Sequence, residues 1–131
     1  MGKPEMRFVV TRLGAMLLAF LSLGAAPCLA ARTIREVGVA SWYGPGFQGR
    51  RTASGARFNM KALTAASRRL PLDHWAKVTD LKTGRSAWVW VNDRGPYVPG
   101  RIIDLSKAAA THLGYRRQGL AEVVVKCPLV G

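Results

Sequence analysis

The stretch from Ala87 to Ser106 constrains the fold more than any other part of the chain. It reads Ala87-Trp88-Val89-Trp90-Val91-Asn92-Asp93-Arg94-Gly95-Pro96-Tyr97, then Gly100-Arg101-Ile102-Ile103-Asp104-Leu105-Ser106. An alternating apolar run, a Gly-Pro turn, a second short apolar run and a serine predict strand, turn, strand and helix start. Alternation across Ala87, Val89 and Val91 places Asp93 on the face those residues bury. A carboxylate there is costly unless it is hydrogen-bonded or put to use. Two readings compete for Asp93 and Asp104. In one, Asp93 and Arg94 pin a turn and Asp104 or Ser106 caps the next helix; in the other, the carboxylates do chemistry.

The flanking sequence fits a small, mainly β domain. Val37 to Tyr43 reads as a first strand, and Gly44-Pro45-Gly46-Phe47-Gln48-Gly49-Arg50-Arg51 as a loop, because glycine and proline at that density prevent regular ladders. Trp75 to Leu81 and Arg85 to Asn92 form a hairpin through Lys82-Thr83-Gly84. Ser106 to Leu113 is a short helix with Leu105, Ala109 and Leu113 on one face and Gly114 as its stop. Leu120 to Lys126 is the last strand. So few short strands would present open edges unless the sheet closes on itself.

The first thirty residues read as an address. Lys3, Arg7 and Arg12 precede an apolar run from Leu13 to Ala26, which is too short to span a bilayer comfortably. Cleavage after Ala30 leaves a domain of residues 31–131, enough for one compact core. Lipidation of Cys28 is the rival. Ala25 and Pro27 occupy places where a lipobox wants a large aliphatic and a small residue, so ordinary export to the periplasm is expected, with no transmembrane segment after signal removal. Export leaves Cys127 alone, on the face of Ala121, Val123 and Val125, as a buried inert thiol. His74 and His112 are isolated, and no Cys/His set stands at metal spacing, so neither metal nor cofactor is expected. The chain holds 20 Lys and Arg against 7 Asp and Glu, a formal charge of +13. In an exported chain that balance points to an anionic envelope polymer or lipid surface rather than to nucleic acid.

Trp42, Tyr43 and Phe47 beside Arg50 and Arg51 suit a carbohydrate cleft. Aromatic faces stack on the C–H faces of sugars, and arginines grip carboxylates bidentately. The alternative for Trp42 and Tyr43 is barrel core.

Several motifs carry a family resemblance. Gly38-Val39-Ala40-Ser41-Trp42-Tyr43-Gly44, Arg51-Thr52-Ala53-Ser54-Gly55, Asn92 to Tyr97 and Gly100 to Ser106 resemble, in this order, the rare lipoprotein A family, over about Val37 to Val125. The resemblance implies a six-stranded double-psi β-barrel related to the domain of expansins. It also implies endolytic lytic transglycosylase activity on the glycan strands of peptidoglycan. Two family positions depart. The glutamate after Thr-Ala-Ser-Gly is Ala56, and the histidine after the paired alanines is Ser67. Neither residue is an acid–base group near neutral pH. His74 lies beyond Leu70-Pro71 and does not align with the lost histidine. The resemblance leaves Asp93 as the surviving acid with Asp104 as a second carboxylate, and Trp42, Tyr43, Phe47, Arg50, Arg51, Arg94 and Arg101 as substrate-binding candidates. Asp93 can act as an acid only where Arg94 or Arg101 does not hold it ionised. Three functions follow: a transglycosylase resting on Asp93, a barrel that binds or loosens peptidoglycan without cutting it, and a basic domain for a protein or anionic lipid partner.

Overall fold

The computed structural model describes residues 32–129. The expected signal segment, its cleavage point and Cys28 lie outside the described residues. Burial with a period of two marks the central hairpin. Buried Ala76 and Val78 alternate with exposed Trp75 and Lys77, and buried Ala87 and Val89 flank exposed Trp88, with Val91 buried after Trp90. The strands are β1 (Arg32–Tyr43), β2 (Thr64–Ser67), β3 (His74–Asp80), β4 (Ser86–Asp93), β5 (Arg101–Ser106) and β6 (Ala121–Leu129), with one α-helix, α1 (Lys107–Leu113), between the last two and a single 3-10 turn (Pro45–Phe47) in the loop after β1. They close in the order β1-β5-β2-β4-β3-β6. β1 runs parallel to β5 and β2 to β4, and the other four pairings are antiparallel. This is the double-psi β-barrel, and closure leaves no open sheet edge. Among the described residues no helix is long and apolar enough to cross a membrane.

The barrel is filled by Ala40, Val78, Val89, Val91, Ile103, Leu105, Val123 and Val125, all 1% exposed or less. Cys127 belongs to the same core, and burial pushes its thiol pKa up. Three local features depart from the sequence pattern. β1 starts at Arg32 rather than Val37, because β6 runs on to Leu129 and the two strands pair from Arg32↔Leu129 to Ala40↔Ala121. β2 is four residues long and buried throughout, so it carries no alternation to read. The third is a register slip. Ala65 pairs with Val91 but Ala66 pairs with Asp93, which makes Asn92 the extra residue of a bulge. Asn92 is consequently buried beside Val91, and Asp93 is turned to a half-buried position instead of continuing the buried face.

Ser106, not Asp104, caps the helix. Its hydroxyl accepts the Ala109 N–H at 3.2 Å and the Thr64 N–H at 3.4 Å, and donates to the Ala62 carbonyl. Ala109, Ala110 and Leu113 face the core, and Gly114 ends the helix at φ 89°, donating to the Ala110 carbonyl at 2.9 Å. One fully buried hydroxyl thus ties β2, the loop before it and α1 together. Ser106→Ala should cost about 2 kcal/mol, more than an ordinary exposed cap, because it strands buried partners as well. Urea denaturation measures this, and a loss under about 0.5 kcal/mol would show the three bonds to be dispensable.

Candidate active-site cleft

The Thr-Ala-Ser-Gly segment forms a tight turn docked on the bulged end of β4. The Thr52 N–H and hydroxyl both donate to the Ala56 carbonyl, at 2.8 and 2.7 Å, and the Gly55 N–H returns to the Thr52 carbonyl at 2.9 Å. Gly55 sits at φ 91°, a conformation side chains resist. Arg51 braces the turn by donating to the Gly55 carbonyl at 2.9 Å. Two backbone donors of the turn then reach β4. The Ser54 N–H meets the Asn92 carbonyl at 3.0 Å, and the Ala53 N–H meets Asp93 Oδ1 at 2.9 Å.

Asp93 Oδ1 also accepts the Arg94 N–H at 2.9 Å. Asp93 Oδ2 has no hydrogen-bond partner among the described residues, and Asp93 forms no ion pair there. The arginines are occupied elsewhere. The Arg94 guanidinium donates to the carbonyls of Ser67 and Leu70 at 2.8 and 2.6 Å. Arg101 pairs with Asp104 at 2.7 Å, and both bond the Ser41 hydroxyl. The two carboxylates flank β2, since Ala66 is the register partner of both. Both leave Oδ2 without a protein partner among the described residues, and their states differ at Oδ1: Asp104 is held there by a cation and a hydroxyl, Asp93 by two backbone N–H groups.

Asp93 lines a cleft of about 410 Å³ with Tyr43, Phe47, Arg50, Arg51, Thr52 and Phe58. The Tyr43 ring stacks on Phe58 at 4.4 Å and meets the edge of Phe47 at 5.6 Å, and the Arg50 guanidinium lies 5.7 Å from the Phe47 ring centre. Five of the residues singled out in the sequence, Tyr43, Phe47, Arg50, Arg51 and Asp93, therefore meet in one place. Trp42, Arg94, Arg101 and Asp104 are not in the cleft lining. Trp42 packs against the core, its indole N–H donates to the Arg116 carbonyl at 3.0 Å, and a Cβ at Gly44 would lie 2.7 Å from its ring. Thr52 and Phe58 complete the lining: Thr52 belongs to the Arg51–Gly55 motif, whereas the Tyr43–Phe58 stack is a tertiary contact without local sequence signal.

The two altered family positions sit in opposite settings. Ala56 is exposed, on the turn that holds Asp93. Ser67 is fully buried, and its hydroxyl accepts the N–H groups of Arg69 and Leu70 at 3.2 and 3.0 Å. It serves the turn after β2, a common use of serine. His74 bonds the Leu72 carbonyl and is not in the cleft lining.

Burial raises the pKa of the Tyr43 hydroxyl, Asp93 and Asp104 add to the rise, and the neighbouring Thr64 hydroxyl opposes it. Neither hydroxyl has a partner in hydrogen-bonding geometry among the described residues. Tyr115, buried and donating to the Ser41 carbonyl at 2.9 Å, is raised for the same first reason. A folded pKa above the ordinary 10.0 means that the native state holds its proton longer. Stability from these groups is complete below pH 10 and is lost as pH rises beyond it. Tyr43→Phe should leave stability near neutral pH within about 0.5 kcal/mol, since its hydroxyl is unpartnered. It should also lessen the alkaline loss by up to about 1.4 kcal/mol per pH unit. Denaturation midpoints on both sides of pH 10 test both statements, and an unchanged alkaline slope would overturn the second.

Comparison with known proteins agrees with this geometry. The sequence model of the family described as lytic transglycolase matches residues 35–125. The probable endolytic peptidoglycan transglycosylase RlpA of Synechocystis is 54% identical over 98 residues, covering 73% of this chain and 30% of that protein. The endolytic peptidoglycan transglycosylase RlpA of Neisseria meningitidis serogroup A is 50% identical over 91 residues, covering 70% and 38%. That of Pseudomonas aeruginosa strain UCBPP-PA14 is 50% identical over 96 residues, covering 73% and 28%. The chain thus spans about a third of the length of these curated relatives. Among solved structures, the Streptomyces papain inhibitor superposes with a TM-score of 0.59 at 21% identity, over 74% of this chain and 96% of that one. The Clavibacter michiganensis expansin in complex with cellohexaose gives 0.57 at 18%, over 74% and 51%. These two likenesses speak for the barrel alone. The family match, the ordered motifs and the barrel geometry agree, and the chain belongs to the lytic transglycolase family.

Proposed function

We propose that the barrel is an RlpA-like endolytic lytic transglycosylase, exported to the periplasm, that cuts peptidoglycan glycan strands with Asp93 as its acid–base group. The observation that carries this reading is the asymmetry of Asp93. Oδ1 is fixed by the N–H groups of Ala53 and Arg94, and Oδ2 is left without a protein partner on a residue that lines the cleft. That arrangement orients a carboxyl without occupying its proton-exchanging oxygen. The relatives' names support the substrate class.

Ordinary glycoside hydrolysis uses two carboxyl groups, one to protonate the leaving oxygen and one to direct water or attack carbon. In lytic transglycosylation the sugar's own C6 hydroxyl attacks the anomeric carbon. The C–O bond to the leaving sugar breaks, and a 1,6-anhydro end forms. Proximity within the substrate replaces a protein-held water. One carboxyl then suffices for proton balance: Asp93 gives its proton to the leaving oxygen and takes the one released by the C6 hydroxyl. Asp104 is not needed as a second acid, and its pairing with Arg101 suits a supporting role. Phe47, about half exposed, and Arg50 offer an aromatic face and a cation for the sugar and its carboxylates.

Ala56 and Ser67 favour a second reading, a cleft that binds wall glycan without cutting it. General acid–base groups are typically worth about a hundred- to ten-thousand-fold each, so cleavage with Asp93 alone should be slow. The expected result is a low yield of 1,6-anhydro ends from purified glycan strands, detected by mass spectrometry, and none from Asp93→Asn. Ala56→Glu should raise the yield, because position 56 is exposed and tolerates the longer side chain. Ser67→His is a poor restoration, since it removes two turn hydrogen bonds from a fully buried site. Unchanged product from folded Asp93→Asn would refute the assignment, and no product from the native chain or Ala56→Glu would leave the binding reading.

A further inference from the structure

The outward face of β3 and β4 carries a second aromatic surface that the cleft does not use. Trp75 opposes Trp90 across the two strands, with ring centres 5.0 Å apart at 67°. Trp88, two residues before Trp90, opposes Lys77. Trp75 and Trp88 are 52% and 47% exposed, although the solvent face of an antiparallel pair ordinarily carries polar groups. The row through Trp88 continues into cations. Lys77 opposes Lys126 on β6, and Lys126 opposes Arg35 on β1. All three are exposed, and the ion pair among the described residues is Arg101–Asp104, which involves none of them. Like charges directly opposite on neighbouring strands destabilise a sheet. The fold keeps this row uncompensated.

Beside the tryptophans lies a concavity of about 350 Å³ lined by Asp73, His74, Trp75, Trp90 and Pro128. It shares no lining residue with the Asp93 cleft. Asp73 enters it from a left-handed backbone, φ 61°, a turn conformation that aspartate adopts more readily than most residues other than glycine. Its N–H is fixed to the Val91 carbonyl at 2.7 Å.

We propose that this face is a second saccharide-binding surface, which holds an anionic glycan strand away from the cleft. The indoles of Trp75, Trp88 and Trp90 stack on sugar rings, and Asp73 accepts hydrogen bonds from sugar hydroxyls. The Lys77–Lys126–Arg35 row pairs with carboxylates along the strand. Charge complementarity and the concavity select this occupant. An anionic bilayer would also attract tryptophan and lysine, but it would have to desolvate the Asp73 carboxylate and makes no use of a concave site. The identity of the polymer, peptidoglycan, rests on the reading of the cleft; the existence of the surface does not.

The test reads binding to purified sacculi by co-sedimentation in the Asp93→Asn background, so that presence or absence of cleavage cannot affect it. Trp75→Ala with Trp88→Ala should weaken binding about tenfold or more, and the matching phenylalanine pair should restore most of it. Lys77→Ala with Lys126→Ala should weaken binding and reduce its dependence on salt. Sacculus binding by the folded tryptophan double variant at the parent level overturns the proposal. So does a loss of binding to phosphatidylglycerol vesicles in that variant with sacculus binding intact, which would make the face a lipid-contacting one. If the double variant fails to fold, Trp88→Ala alone, outside the Trp75–Trp90 pair, is judged by the same criterion.

Discussion

Two backbone N–H groups converging on one oxygen of Asp93 are the constraint on which the site depends. The Ala53 donor comes from a turn forty residues earlier in the chain, and the Arg94 donor from the next residue. The bulge at Asn92 turns Asp93 away from the buried face, and the Asn92 carbonyl beside it accepts the Ser54 N–H. The aspartate, the bulge and the Thr-Ala-Ser-Gly turn are therefore one device. A change in any of them moves the carboxylate, even where no side chain in the cleft is altered.

The arginines close to the two carboxylates in sequence are divided between backbone and side-chain partners. Arg94 gives its guanidinium to two carbonyls after β2, and Arg101 gives its own to Asp104 and Ser41. With their guanidinium groups so engaged, neither of these arginines forms an ion pair with Asp93. The Arg101 pairing also gives Asp104 a structural occupation, in which removal of one partner would leave the other partly buried and unpaired.

Much of this was legible in sequence. The hairpin and the short helix with its glycine stop followed from alternation and turn chemistry, whereas the grouping of Tyr43, Phe47, Arg50 and Arg51 with Asp93 was what the family resemblance implied. What was not legible had physical reasons. β2 is buried on both faces, so its four residues carry no period. The bulge at Asn92 breaks alternation at the one position where alternation was used to orient an acid. Trp42 left core and cleft equally open, because an indole suits both, and its partner carbonyl at Arg116 is 74 residues away. The outward tryptophans of β3 and β4 show in sequence only as strand residues; their alignment with a row of cations appears once the register across four strands is known.

The seam between β1 and β6 has a kinetic meaning as well as a structural one. It pairs the first described strand with the last, from Arg32↔Leu129 to Ala40↔Ala121, so the loop it closes spans nearly the whole domain. Contacts of such separation must close a long loop, and that closure entropy slows folding relative to local pairings. Cys127 lies in this seam opposite Ile34, fully buried once the barrel is shut. Until then its thiol is open to exchange with any oxidant or disulfide the chain meets. Closure of the barrel is thus also the step that takes the cysteine out of reach, and a slow closure lengthens the interval in which it can be captured.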